Sequence, residues 1–213
     1  MTAAGVATLP EWYAPIAAMP GQVRPQDLGR SRPEPGPAAR RSAVLLLFGH
    51  TGSGPDVLLT ERAASLRSHP GQVSFPGGRI DPGDPGPVAA ALREAREETG
   101  LDPAGVQVSG CLPELYLPPS RYLVTPVLAW WRSPSPVRAV DPAEVAGVAR
   151  VPVAELADPA ARLLVRHPSG FVGPAFRVRG LFVWGFTAGL LHNLLSLSGW
   201  ERPWERNRIE DWS

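Results

Sequence analysis

Proline and glycine interrupt this chain so often that few stretches can run as long helices. The 213 residues include 26 prolines and 22 glycines, roughly twice ordinary usage. Proline fixes φ and lacks a backbone donor, and glycine loosens the backbone, so both favour turns and loops. A mostly helical bundle is disfavoured on this ground. Wholesale disorder is excluded, because about a quarter of the chain is Leu, Ile, Val or Phe, enough to build a core. The length favours one domain with decorations.

The segments between these interruptions read as mixed strands with two principal helices. Residues 8–18 suit a short helix or an extended anchor, and residues 20–40, rich in Pro, Gly and Arg, suit a wrap over the domain. Ordered structure is expected from SAVLLLFGH (42–50), a continuous apolar run of strand length. A Gly/Ser turn follows, with DVLLTERA (56–63) as the hairpin partner. Residues 85–99 read as a helix, with Pro87 near its start and Gly100 as its cap. Strands are expected at 106–118 and 121–131, and again at RLLVRH, FRVRG and LFVW. Residues 141–159 mix a loop, a short strand and a helical turn. Residues 185–199 read as a second helix with a wide leucine face. The expected divisions are an extension at 1–41, a domain at 42–200 and a tail at 201–213.

The charge balance narrows the partners. The 21 basic residues are all arginine, against 20 acidic ones, for a net charge of +1. No basic excess marks a nucleic-acid binder. Every permanent cation is a planar guanidinium suited to phosphate forks, and without lysine there is no Schiff-base chemistry. The single Cys111 excludes an internal disulfide and a cysteine zinc cage, and its apolar neighbours suit a packed thiol. No basic leader precedes an apolar segment, and no apolar run approaches ~18 residues. A cytoplasmic protein without a membrane span is the expectation.

The informative stretch is FPGGRIDPGDPGPVAAALREAREETGL, residues 75–101. On a helix, Glu94, Glu97 and Glu98 are three or four positions apart and share one face. Like charges there repel. Arg93 and Arg96 offset part of the cost, and a hard divalent cation such as Mg²⁺ or Mn²⁺ would offset more of it. Gly77 and Gly78 let the backbone come close, so a carbonyl can add a ligand. Taken alone, REAREE would read as a solvated, salt-bridged helix face. The FPGG upstream, the acidic loop with Asp81 and Asp84, and the Gly terminator favour a site instead.

This stretch resembles the Nudix box. Its second half is complete in Arg93, Glu94, Ala95, Glu97, Glu98, Gly100 and Leu101. Its first half departs from the pattern: Asp84 stands in place of Glu, and eight residues rather than seven separate it from Arg93. The upstream segment LLTERAASLRSHPGQVSFPGG (58–78) resembles the signature of coenzyme A pyrophosphatases, which share the longer loop with Asp in it. VWGFTAGLL (183–191) is similar to that group's C-terminal helix.

The resemblance implies a Nudix-type α/β/α sandwich, with a mixed sheet between helices. It implies metal-dependent hydrolysis of coenzyme A, or its derivatives, to 4′-phosphopantetheine and adenosine 3′,5′-bisphosphate. Glu94 and Glu98 would be primary ligands for Mg²⁺ or Mn²⁺, with Glu97 a further ligand or the group orienting water, and Gly77 a carbonyl donor. Arg93 would hold the carboxylates by a charge-assisted fork. Glu144 is the candidate general base, its alternative being a carboxylate at a helix N-terminus; Asp141 and Glu155 are weaker candidates. Arg62 and Arg67 would bind phosphates, His69 would add a hydrogen bond, and Gln72 and Phe75 would set the substrate loop. Phe75 suits a core position equally. His50, His167 and His192 read as structural, and the Trp130–Trp131 pair as packing more than as a base-stacking platform. Competing readings are a broader pyrophosphatase acting on NADH or ADP-ribose, and a non-catalytic ligand sensor. A small-molecule substrate and a monomer or homodimer complete the expectation.

Overall fold

The computed structural model describes residues 8–29, 36, 39–66, 70–118 and 120–211. Strand β1 (Arg40–Thr51) turns back into β2 (Gly54–Arg62), and the short β3 (Val73–Ser74) and β4 (Gly77–Arg79) follow. An N-terminal helical turn, α1 (Ala14–Ala17), precedes them, and helix α2 (Pro87–Thr99) comes after. Then come β5 (Val106–Cys111), β6 (Leu115–Leu117), β7 (Tyr122–Trp131), β8 (Val145–Pro152) and the turn α3 (Val153–Leu156). The chain continues through β9 (Arg162–Arg166), β10 (Val172–Val178), β11 (Leu181–Val183), α4 (Gly185–Leu197) and β12 (Ile209–Asp211).

The main sheet is mixed. β1 is antiparallel to β2 and β4 but parallel to β7, pairing from Arg40 opposite Tyr122 to Phe48 opposite Trp130. β8 and β3 extend it beyond β2, and β5 and β6 beyond β7. A parallel pair is covered on both faces, and β1 shows it. Ala43, Leu45 and Leu47 point to one layer, while Leu46 and Phe48 point to the other.

Helix α2 covers the first layer through Ala90, Ala91 and Ala95, all fully buried. Helix α4 covers the second through Ala188, Leu190, Leu191, Leu194 and Leu195. The result is the expected α/β/α sandwich. Residues 8–29 pack into the second layer, where Tyr13 and Ile16 have no exposed surface. A second sheet, ordered β11-β10-β9-β12, flanks the first. The three late strands expected from the sequence all lie in it.

Local departures from expectation have simple causes. The expected strand at 106–118 is two strands, because Pro113 lies between them and the β5–β7 register shifts between Val108 and Gly110. Helix α2 starts at Pro87 rather than 85, since proline is favoured at a first helical position, and Gly86 precedes it without a side-chain cap. Gly100 closes the helix at φ +70°, its N–H on the Arg96 carbonyl. No helix among the described residues is long and apolar enough to cross a membrane.

Candidate active site

Two glycines set how closely the sheet meets helix α2. β4 lies against β1, with Gly77 opposite Val44. A Cβ at Gly77 would stand 2.3 Å from the Ala43 carbonyl oxygen, and one at Gly78 would stand 2.4 Å from the Glu94 carboxyl carbon. Real Cβ atoms do not come so close, so glycine at 77 lets β4 lie tight on β1, and glycine at 78 leaves room for the Glu94 carboxylate. The Gly77 N–H then donates to Glu98 Oε2 at 3.1 Å.

Arg93 organises the remaining carboxylates. Its Nε and Nη2 fork onto both oxygens of Asp84, at 3.1 and 2.9 Å. Nη1 donates to Glu94 and to Glu97, each at 3.0 Å, and Nη2 also reaches the Arg79 carbonyl at 3.0 Å. Asp84 is held below the usual carboxylate range, first by the Arg93 fork and then by the Asp81 N–H. The same contacts hold the guanidinium charged throughout the working pH range. Burial pushes Glu94 up, with Arg93 opposing it.

Glu98 is bonded to β4 rather than to Arg93. Burial pushes its carboxyl up to about 7; Gly77 and Arg62 oppose the rise, while Glu94 and Glu144 add to it. Arg62 and Glu144, from separate parts of the chain, therefore act on the same carboxylate as the helix residues. Backbone pairing explains how: the Ala63 N–H donates to the Glu144 carbonyl, and the Arg62 N–H donates to the Gln72 carbonyl. Among the described residues, the buried Arg62 Nε has no hydrogen-bond partner.

The structure thus brings Arg93, Glu94, Glu97, Glu98, Gly77, Arg62, Gln72 and Glu144 into one neighbourhood. Phe75 is different: it is 2% exposed and packed in the core below the loop, so it has no open face for a substrate. Arg67 and His69 lie outside the described residues. Glu155 is forked onto Arg179 at 2.7 and 2.8 Å, and Asp141 holds a turn through the Ala143 N–H. His50 lies against Trp12, His167 against Trp184, and His192 against Arg162. Trp131 is buried in the α2 layer and Trp130 packs on the opposite layer, so the pair forms no platform. Cys111 is half-buried, and burial pushes its thiol up.

The sequence marks Asp84 as part of an acidic loop and of the imperfect first half of the box, but gives it no role; its partner Arg93, nine positions on, becomes visible only when the loop closes over the helix. Gly78 was likewise read for backbone approach, and not as the floor beneath Glu94.

A cation test follows from the donor chemistry. Glu94, Glu97 and Glu98 offer hard oxygens, and Glu98 carries a proton affinity raised by burial and by neighbouring carboxylates. That is the electrostatic condition which a hard divalent ion relieves. In this arrangement Arg93 draws Glu94 and Glu97 to itself, and among the described residues no three His, Cys, Asp or Glu side chains converge into a metal-holding group. The residue types fit; Glu94 and Glu97 are held by Arg93, and Glu98 by the Gly77 N–H.

A family profile described as NUDIX domain matches residues 38–169. The chain belongs to the Nudix family. It is 42% identical over 171 residues to the Nudix hydrolase NudL of Cronobacter sakazakii, covering 77% of this chain and 85% of that one. It is 41% identical over 162 residues to NudL of Escherichia coli K12, covering 73% and 81%. A solved Nudix hydrolase from M. smegmatis, RenU, superposes with a TM-score of 0.55 over 78% of this chain and 90% of that one; at 20% identity this likeness speaks for the fold. Nudix hydrolases generally use divalent ions such as Mg²⁺ or Mn²⁺.

Proposed function

We propose that this Nudix protein hydrolyses the diphosphate bond of coenzyme A or its derivatives, giving 4′-phosphopantetheine and adenosine 3′,5′-bisphosphate. The observation that carries the reading is where Arg62 and Gly77 lie. The residues that resemble the coenzyme A pyrophosphatase signature include Arg62 and Gly77, and both act on Glu98. The substrate-class signature and the Nudix carboxylates therefore form one site.

In this reading, Glu94 and Glu98, with Glu97 and the Gly77 carbonyl, would hold Mg²⁺ or Mn²⁺, which when bound would supply neutralisation of diphosphate charge and a more acidic water. Arg93 fixes the helix carboxylates, its fork to Asp84 keeping it from swinging away. The Arg62 guanidinium, with a buried Nε still available, pairs with a phosphate oxygen. Phosphate binding by Arg67 and hydrogen bonding by His69 complete the substrate contacts in this reading, with Gln72 setting the substrate loop. Glu144, exposed at the site's rim, accepts the proton of the attacking water on a carboxylate oxygen. The water oxygen bonds to one phosphorus, the bridging P–O bond breaks, and the departing oxygen leaves as a phosphate.

The test is a turnover assay with coenzyme A, NADH and ADP-ribose, with Mg²⁺, Mn²⁺ or chelator, beside Glu98→Gln. Metal-dependent release of adenosine 3′,5′-bisphosphate, abolished by the substitution, is the expected result. Turnover of NADH or ADP-ribose alone would keep the site and overturn the substrate. Tight coenzyme A binding without turnover of any compound would favour a ligand sensor.

A further inference from the structure

A cavity of about 450 Å³ opens beside the first half of α4, and we infer that it holds the uncharged pantetheine arm of the substrate, an inference that rests on the coenzyme A reading above. Its volume suits a small-molecule site. Leu28, Leu115, Phe171 and Leu190 supply apolar walls, and Tyr116 and Asn193 supply polar groups. This mixture matches a linear chain of two amides joined by methylene pairs, with a dimethyl carbon at one end.

Charge decides which half of the substrate enters. No Arg, Asp or Glu lines the cavity among the described residues. The nucleotide half carries an extra phosphate at its 3′ position, and this chain meets phosphates with arginine, having no lysine. His192, the lining group able to carry positive charge, is held toward neutral by burial and by Arg162. The phosphorylated half therefore belongs with Arg62, and the neutral half belongs here.

Position agrees. Gly185 lines the cavity, and the Gln72 amide nitrogen lies 3.4 Å from where a Cβ at Gly185 would stand. The Gln72 carbonyl in turn accepts the Arg62 N–H at 3.0 Å. The cavity thus abuts the loop that carries Arg62 to Glu98. Gly189 shows that the space is kept open by sequence. It lies inside α4, where glycine weakens a helix, yet a Cβ there would meet nothing within 4 Å. A side chain at 189 would therefore project into the open cavity that Gly189 lines.

The experiment is calorimetry on the full chain with pantetheine and, separately, with adenosine 3′,5′-bisphosphate. Wild type, Gly189→Ala, Gly189→Leu and Asn193→Leu are compared, each checked by thermal melting. Gly189→Leu fills the cavity and weakens pantetheine at least about tenfold, with the bisphosphate changed less than about twofold. Asn193→Leu, which leaves the helix backbone alone, also weakens pantetheine. Wild type that fails to bind pantetheine at millimolar concentration would overturn the inference. So would folded variants that bind it normally, or that lose the bisphosphate instead, which would place the adenosine in the cavity. Pantetheine binding is read without metal or turnover, so it decides the cavity's role whether or not coenzyme A is hydrolysed.

Discussion

At Glu98, burial and nearby carboxylates oppose ionisation more strongly than Gly77 and Arg62 favour it, so its carboxyl rises from 4.5 to about 7. Between those values the folded protein holds a proton that the unfolded chain releases. Stability without metal therefore falls as pH rises through that window, by at most about 3 kcal/mol. Urea denaturation in chelator at pH 4.5, 6 and 7.5 should show this decline, and Glu98→Gln should flatten it. Adding Mg²⁺ or Mn²⁺ to the wild type at pH 7.5 should restore stability by binding the folded state alone. The two glycines beside Glu98 separate geometry from stability. Gly78→Ala meets the end of a flexible side chain, so it displaces the Glu94 carboxylate and cuts turnover with little change in melting. Gly77→Ala meets the Ala43 carbonyl and the Val44 Cα; backbone cannot yield as a side chain does, and the melting temperature falls as well.

Helix α2 is held at its edge by the loop before it. Its buried face is alanine, which brings the backbone close to β1 but supplies few long side chains to fix its rotation. The Asp84–Arg93 fork provides that fix, with Asp84 only 8% exposed. Asp84→Asn keeps size but loses charge. Arg93 is then free to tilt, and turnover should fall by roughly 10²-fold as the carboxylates shift, while far-UV circular dichroism stays unchanged. The helix was legible in the sequence because its signals are local: Pro87 starts it, Gly100 stops it, and the Glu spacing marks its outer face. The β1–β2 hairpin was legible for the same reason. Asp84's partner was not, because nothing in a nine-residue spacing across an irregular loop says that the loop folds back. Phe75 had two readings in sequence, since an aromatic beside Pro-Gly-Gly suits either a ligand wall or a core; only its packing decides for the core.

Across the whole molecule, what remained hidden was long-range. Residues 8–29 carry too many prolines and glycines to announce a core role, yet Tyr13 fills the α4 layer completely and its hydroxyl bonds Ser109 at 3.0 Å. Burial pushes that phenol up to about 12. Tyr13→Ala should cost about 3–5 kcal/mol, read from urea denaturation, although it lies on no element that carries the chemistry. The late strands were expected, but their gathering into a second sheet was not, since pairing partners leave no mark on composition. The central parallel pair has a further consequence, in time rather than in space. Arg40 and Tyr122 pair across 82 positions of chain, and the whole α2 segment lies within the excursion between them. A contact so distant must close a large loop before it gains any stabilisation, which places refolding on the order of milliseconds to seconds, beyond the ~1 μs of helix formation. After dilution from urea, helical signal should return first, and activity should return only with the slower phase in which β1 finds β7. The proposed catalytic face is written mostly in one short segment, but it is assembled last.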